Sequence, residues 1–452
     1  MEEIQEPIFS RKALIRLIIP LIVEQVLAVT IGMADTVMVS SVGEAAVSGI
    51  SLVDTINILL INIFSALTTG GAVVAAQYLG RREPHSARVA AKQLFYSCTA
   101  LALLLMTAAL IWNEHILRLV FGNIVPEVME NSKIYFAITA VSYPFLAIYN
   151  SGAALFRAEG NSKISMYTSA LMNLVNICGN AILIYGFGWG VAGAAVATLV
   201  SRILGAAVIT GLVVNPHNTI YIEKIWKPEV HLSMIGKIMQ IGVPNGLENS
   251  LFQVGKILVQ SIITTFGTAA IAANAIANSI ASFEGIPGAA IGLAMITVVG
   301  QCVGAGDYDQ AKKYTLRLLK LTYLSISVIS VLLLVLVNPL TSAFQLSEEA
   351  TRMARELIIF HSICCMIIWP PSFTLPNGLR AANDAKFTML VSVISMWVCR
   401  IGLSYVFAYY FHMGLFGVWV AMIADWIVRS IVFIIRFASG KWKNRQLIRD
   451  EK

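Results

Sequence analysis

Six carboxylates stand inside stretches otherwise apolar enough to cross a bilayer: Glu24, Asp35, Asp54, Glu248, Glu284 and Asp425. Holding an ionisable side chain at membrane depth costs about 3 kcal/mol or more, so each is a candidate for chemistry, and the alternative is a pair that merely ties helices together. Three cations, Arg202, Lys256 and Arg400, lie comparably deep. Asp35 has the most suggestive neighbours. Asn176 and Asn180 in NLVNICGN are one helical turn apart on one face, and Thr198 lies at similar depth in the following span. A carboxylate, two amides and a hydroxyl can hold a small hard cation through oxygen. The carboxylate alone can instead carry a proton. The stretch that holds Glu24 and Asp35 also contains Pro20, which removes a backbone hydrogen bond and marks a place where the helix can bend. Glu24 shares a face with Asp35 about 16 Å deeper.

These side chains need a membrane scaffold. The chain has 452 residues, 57% hydrophobic and only 13% charged, and a mean hydropathy of +0.76. Soluble domains carry about a quarter charged residues, so the composition is that of an integral membrane protein. Its length suits about a dozen spans. Hydropathy predicts twelve helices, beginning near residues 13, 47, 92, 133, 165, 190, 235, 271, 316, 353, 388 and 415. Spans this long exclude a transmembrane barrel. The acidic start MEEIQEP does not resemble a signal peptide, so the first helix is expected to direct insertion and stay. The six cysteines fall in apolar stretches without ligand spacing and read as free, buried thiols.

Apart from the three deep cations and Arg118, Lys133, Arg352 and Arg355, the Lys and Arg residues cluster at the termini and after even-numbered spans. The positive-inside rule then places both termini in the cytoplasm. The net charge of +7 is accounted for by topology and anionic lipid, with no nucleic-acid partner.

The chain also repeats itself. SVGEAAVSGI (41–50) meets TFGTAAIAAN (265–274) at an offset of 224, and VAAQYLGRREPHSA (74–87) meets VVGQCVGAGDYDQA (298–311). At that offset Pro20 falls on Pro244 and Glu24 on Glu248. FRAEGNSK (156–163) meets LRAANDAK (379–386) at 223. An even number of spans per copy makes the halves parallel repeats about an axis along the membrane normal. The expected fold is therefore all-α and integral to the membrane: twelve transmembrane helices in two six-helix bundles related by a pseudo-two-fold along that normal. The expected lobes are 1–214 and 233–452, joined by a cytoplasmic linker, 215–232. Two such bundles suit an alternating-access transporter.

Zinc-protease, serine-hydrolase and nucleotide-binding signatures are absent, so no catalytic residue and no enzyme is expected. The glycines of VGAGDYD suit a turn. ADTVMVSSVGEAAVSG, QYLGRREPHSA, LFRAEGNSK, GWGVAGAAVAT and the echoes QCVGAGDYDQAKK and LRAANDAK, set in this duplicated layout, resemble the multidrug and toxic compound extrusion (MATE) family along essentially the whole chain. The resemblance implies a bacterial cytoplasmic-membrane antiporter, monomeric, that exports organic, mostly cationic drugs in exchange for H+ or Na+. It implies no cofactor beyond the coupling ion. It also implies a cation site at Asp35, Asn176, Asn180 and Thr198, the only place for a metal ion, as Na+. The family pattern has Asp where this chain has Asn180. A second family site is not carried over: Glu248 stands only four residues after Pro244, and IIWPPSFTLPNGLR has no acid.

Asp54, Glu24, Glu248, Lys256, Glu284 and Arg400 remain candidates for a substrate cavity. Lys256 and Arg400 either pair with Glu248 or Glu284 or meet an anionic group on the cargo. Such cargo would suit the alternative function on the same fold, a flippase for a lipid-linked sugar or peptidoglycan precursor. A passive channel is disfavoured because the polar residues differ between halves while the scaffold repeats.

Overall fold

The computed structural model describes residues 7–448 except 123–124, 226, 228, 345–346 and 446, and describes 31–36 by backbone alone. With no water in a bilayer core, each spanning segment must satisfy its own backbone, and the chain does so with helices. The first half holds α1 (Arg11–Ser40), α2 (Glu44–Gly80), α3 (Pro84–Ile111), the short α4 (Asn113–Phe121), α5 (Pro126–Val141), α6 (Tyr143–Ala158), α7 (Ser162–Gly186) and α8 (Gly190–Val213). The second half holds α9 (Leu232–Thr264), α10 (Thr268–Gly304), α11 (Tyr308–Ser342), α12 (Glu348–Ala381), α13 (Ala385–Tyr410) and α14 (Gly414–Ala438).

Each expected span start lies within one of these helices. Among the described residues, ten helices are long and apolar enough to cross a membrane. The other two spans are α9, diluted by Lys237, Gln240, Glu248 and Lys256, and the pair α5 and α6, interrupted at Ser142. Outward residues such as Val335 (72% exposed) and Leu324 (64%) are apolar, as lipid contact requires.

The duplication is visible in element boundaries. Both α2 and α10 have 37 residues, and α10 begins and ends 224 residues after α2. The turns repeat as well. Arg82 and Gly306 hold positive φ at matching places, as do Gly160 and Asn383. Glycine and asparagine suit that left-handed geometry.

Two compact units result, Lys12–Gly246 and Leu247–Lys452, the latter joined by the segment up to Arg11. In the second unit, Phe9 exchanges two hydrogen bonds with the Tyr314 hydroxyl, at 3.1 and 2.7 Å. In the first unit, Thr219, Tyr221, Ile225, Lys227 and Glu229 contact α3. Tyr96 donates to the Ile225 carbonyl at 2.8 Å, and Gln93 donates to the Glu229 carbonyl at 2.7 Å. Small residues let helices approach. A Cβ on Gly70 would lie 2.4 Å from the Ile238 carbonyl oxygen, so α2 and α9 meet there backbone to backbone.

Candidate functional site

In the first unit, α7 and α8 bring three of the expected residues together. Asn176 donates to the Thr198 hydroxyl at 3.1 Å, and Asn180 donates to Asn176 Oδ1 at 3.4 Å. The spacing of four aligns the two amides, and both are buried. Asn180 and Thr198 line a cavity of 160 Å³ with Asp54, Tyr135 and Arg202. Asp54 accepts from Asn57 at 3.3 Å and Tyr135 at 3.4 Å, while Tyr143 donates to Asn57 Oδ1 at 2.8 Å. Arg202 reaches Ser142, at the break between α5 and α6, at 2.6 Å. The cavity thus offers carboxylate, amide and hydroxyl oxygens beside one guanidinium. The Asp35 side chain lies outside the described residues; its backbone belongs to α1.

Pro20 lies inside α1. Having no N–H, it deprives the Arg16 carbonyl of its helical donor. The Ser162 hydroxyl, at the start of α7, stands beside that gap, donating to the Leu17 carbonyl at 2.6 Å and lying 3.4 Å from that of Arg16. Position 385, where the repeat places the counterpart of Ser162, is alanine, so the hydroxyl belongs to the first half alone.

Glu24 is buried in an ion pair. Arg157 donates to one carboxylate oxygen at 3.1 Å and Ser165 to the other at 2.7 Å. In the second unit Glu248 meets Arg380 at 2.7 Å. Neither acid lines a described cavity. Glu284, fully buried in α10, accepts from Ser330 and Ser362 and lies 2.8 Å from His361 Nδ1. Cys365 stands close enough to complete a trio of possible metal ligands. The direct contact between carboxylate and imidazole, however, has the geometry of a hydrogen bond. Asp425 accepts from Ser395.

Pairing of Lys256 and Arg400 with Glu248 or Glu284 is therefore overturned: Arg380 and His361 take those acids. Among the described residues neither cation makes a side-chain hydrogen bond or ion pair, and both line a second cavity, of 290 Å³. Sequence reasoning missed Arg157, Arg380 and His361. Both arginines sit in the matched segments FRAEGNSK and LRAANDAK, so the repeat that paired Glu24 with Glu248 also carried their partners. His361 was signalled by its place in the apolar run IIFHSICC.

The MatE family model matches residues 20–182 and again 244–406. The probable multidrug resistance protein NorM of Thermotoga maritima is 27% identical, the match covering 100% of this chain and 96% of that one. The uncharacterized transporter YisQ of Bacillus subtilis is 28% identical over 97% of this chain and 96% of its own. A solved structure, the outward-facing conformation of a multidrug resistance MATE family transporter of the MOP superfamily, superposes with a TM-score of 0.89 at 20% identity, covering 95% of this chain and 96% of that one. Matched in both halves by one family model, the chain belongs to the MatE family of multidrug and toxic compound extrusion transporters.

Proposed function

We propose that this protein is a secondary multidrug exporter that moves organic, mostly cationic compounds out of the cell in exchange for H+ or Na+. The observation that carries this reading is the first-unit cavity, where Asp54, Asn180 and Thr198 present oxygen ligands in a MatE-family chain. Relatives named as multidrug resistance proteins support the substrate class.

In this reading Asp35 takes the coupling ion and loses its net charge. The hydrogen bonds around it rearrange, and α1 bends at Pro20, where a backbone bond is already missing. The cavity changes shape and releases its cargo outward. The ion-loaded carrier then rocks inward, gives up the ion and rebinds cargo. Because one site biases both conformations, ion and drug affinities are linked reciprocally.

Proteoliposomes given an imposed Na+ or H+ gradient and a fluorescent organic cation test this. Gradient-dependent dye movement that is lost in a folded Asp35→Asn variant is the expected result. Dye movement without a gradient, wild-type export by Asp35→Asn, or flipping of a labelled lipid-linked sugar with no dye movement would each overturn it.

A further inference from the structure

The 290 Å³ cavity of the second unit is the repeat-related counterpart of the 160 Å³ cavity of the first. At the 224-residue offset Ile50 falls on Asn274, Asp54 on Asn278, Ala194 on Val418 and Thr198 on Met422, and all eight line their respective cavities. Charge is what the copies do not share. Asp35 and Asp54 fall on Val259 and Asn278, so both acidic positions are neutral in the second copy. Gly32 falls on Lys256, and Arg400 falls on Asn176 at an offset of 224 or on Ile177 at 223, so two cations stand where the first copy has none.

Arg400 is placed by a local irregularity. The offset grows from 223 at the start of α7 and α13 to 224 at the start of α8 and α14, so α13 holds one residue more than α7. It carries a widened π turn, Met396–Gly402, beside the turn Val406–Tyr410 that matches Ala181–Gly186 of α7. Such one-residue insertions re-aim side chains and recur at functional sites. Arg400 sits in the additional turn.

Hydrogen bonds fix the amides: Asn278 Nδ2 donates to the Asn274 backbone carbonyl at 2.9 Å, while Gln260 is turned so that its donors reach the cavity. Trp419 Nε1 donates to Asn274 Oδ1 at 3.0 Å, and Asn274 Nδ2 donates to Gln260 Oε1 at 3.1 Å. The Gln260 amide group is thereby left with its N–H donors to offer. Arg400, 9% exposed, has its Nε without a partner. The Lys256 ammonium and the Arg400 and Arg429 guanidinium groups all stand 5.4–5.7 Å from the Phe252 ring. Of the nearby carboxylates, Glu248 is ion-paired with Arg380, while Asp425, which accepts from Ser395, keeps its charge within electrostatic reach of Arg400 and Arg429. Asp425 offsets part of the guanidinium charge, but among the described residues no carboxylate acts on Lys256, and a desolvated ammonium beside a half-compensated guanidinium favours an anion.

We propose that this cavity binds the carboxylate or phosphate group of an amphiphilic anionic or zwitterionic ligand, giving the two repeats opposite charge preference. The inference rests on the reading of the chain as an exporter and names a second substrate class for it. Its test reads binding rather than transport, so the two fail separately. Purified full-length protein in neutral detergent is titrated against carboxyfluorescein, followed by fluorescence polarisation. Wild type binds, and Lys256→Gln and Arg400→Gln each weaken binding about tenfold or more. Lys256→Arg keeps it, and added salt reduces it. Short-chain phosphatidic acid and inorganic phosphate compete in separate arms. Displacement at lower concentration by the lipid supports an amphiphilic headgroup, and displacement at lower concentration by phosphate overturns the amphiphilic part of the assignment in favour of a small soluble anion. No binding by wild type, or unchanged binding by a monodisperse Lys256→Gln/Arg400→Gln double variant, overturns the proposal.

Discussion

Arg157 donates to Glu24 at 3.1 Å, and the repeat makes the same contact again between Arg380 and Glu248 at 2.7 Å. Each pair ties the first helix of its copy to the chain near a matched turn, after α6 in one half and after α12 in the other. Duplication preserved these pairs and changed the cavities, which divides structural acids from functional candidates.

The pairs are buried, so breaking one is costly. Removing one partner of a buried ion pair strands the other charge, at about 3–5 kcal/mol. Arg380→Met and Glu248→Gln are each expected to lower the unfolding temperature in detergent strongly. Combining them should recover part of the loss, because neither member of the pair is left stranded and Arg429, which also faces Glu248, keeps Asp425. Additive losses in the double variant would show that the residues act independently.

Asn180 is the departure from the family pattern, and it sits in a short amide chain with Asn176 and Thr198. Asn180→Asp adds a carboxylate to the cavity that already holds Asp54. Sodium binding to that variant should tighten about tenfold, worth about 1.4 kcal/mol. The readout is the sodium-dependent rise in unfolding temperature at fixed pH. A sodium response equal to wild type would remove Asn180 from the cation site.

The His361 and Glu284 contact, at 2.8 Å in a fully buried setting, belongs to no repeat. His361→Leu leaves a buried carboxylate with serine donors only and should cost about 3 kcal/mol or more. Ser362→Ala removes a 3.3 Å contact and should cost about 1 kcal/mol. Comparable losses from both would mean that the imidazole contributes no more than a neutral hydroxyl.

Spans, repeat and the alignment of Asn176 with Asn180 were legible because hydropathy, self-similarity and helical periodicity are local properties of a chain. Ion-pair partners were not. Glu248 and Lys256 lie eight residues apart on α9, about two turns, yet one meets Arg380 and the other faces a cavity. Which neighbour a side chain meets depends on helices more than a hundred residues away. Arg157 and Arg380 were hidden by their position: basic residues after even-numbered spans look like topology signals until the structure turns them inward. The additional π turn at Met396–Gly402 left only a one-residue change in offset as its trace.

Glu159 supplies the pH dependence that sits outside the spans. It follows α6, and one carboxyl oxygen accepts the Ile220 backbone N–H of the segment that contacts α3. Burial pushes its carboxyl up to about 7, against the smaller opposing effect of the Ile220 hydrogen bond. A carboxyl whose folded pKa lies above its unfolded value binds more protons when folded. Its contribution to stability is fully present below the unfolded carboxylate range and is lost as pH rises through about 7. Between these limits the wild-type unfolding temperature should fall with rising pH. Glu159→Gln keeps an oxygen to accept from Ile220 and cannot ionise, so that decline should flatten. Unfolding temperatures measured from mildly acidic to mildly alkaline buffer, in wild type and variant side by side, check this. An identical slope in both would place the titrating group elsewhere.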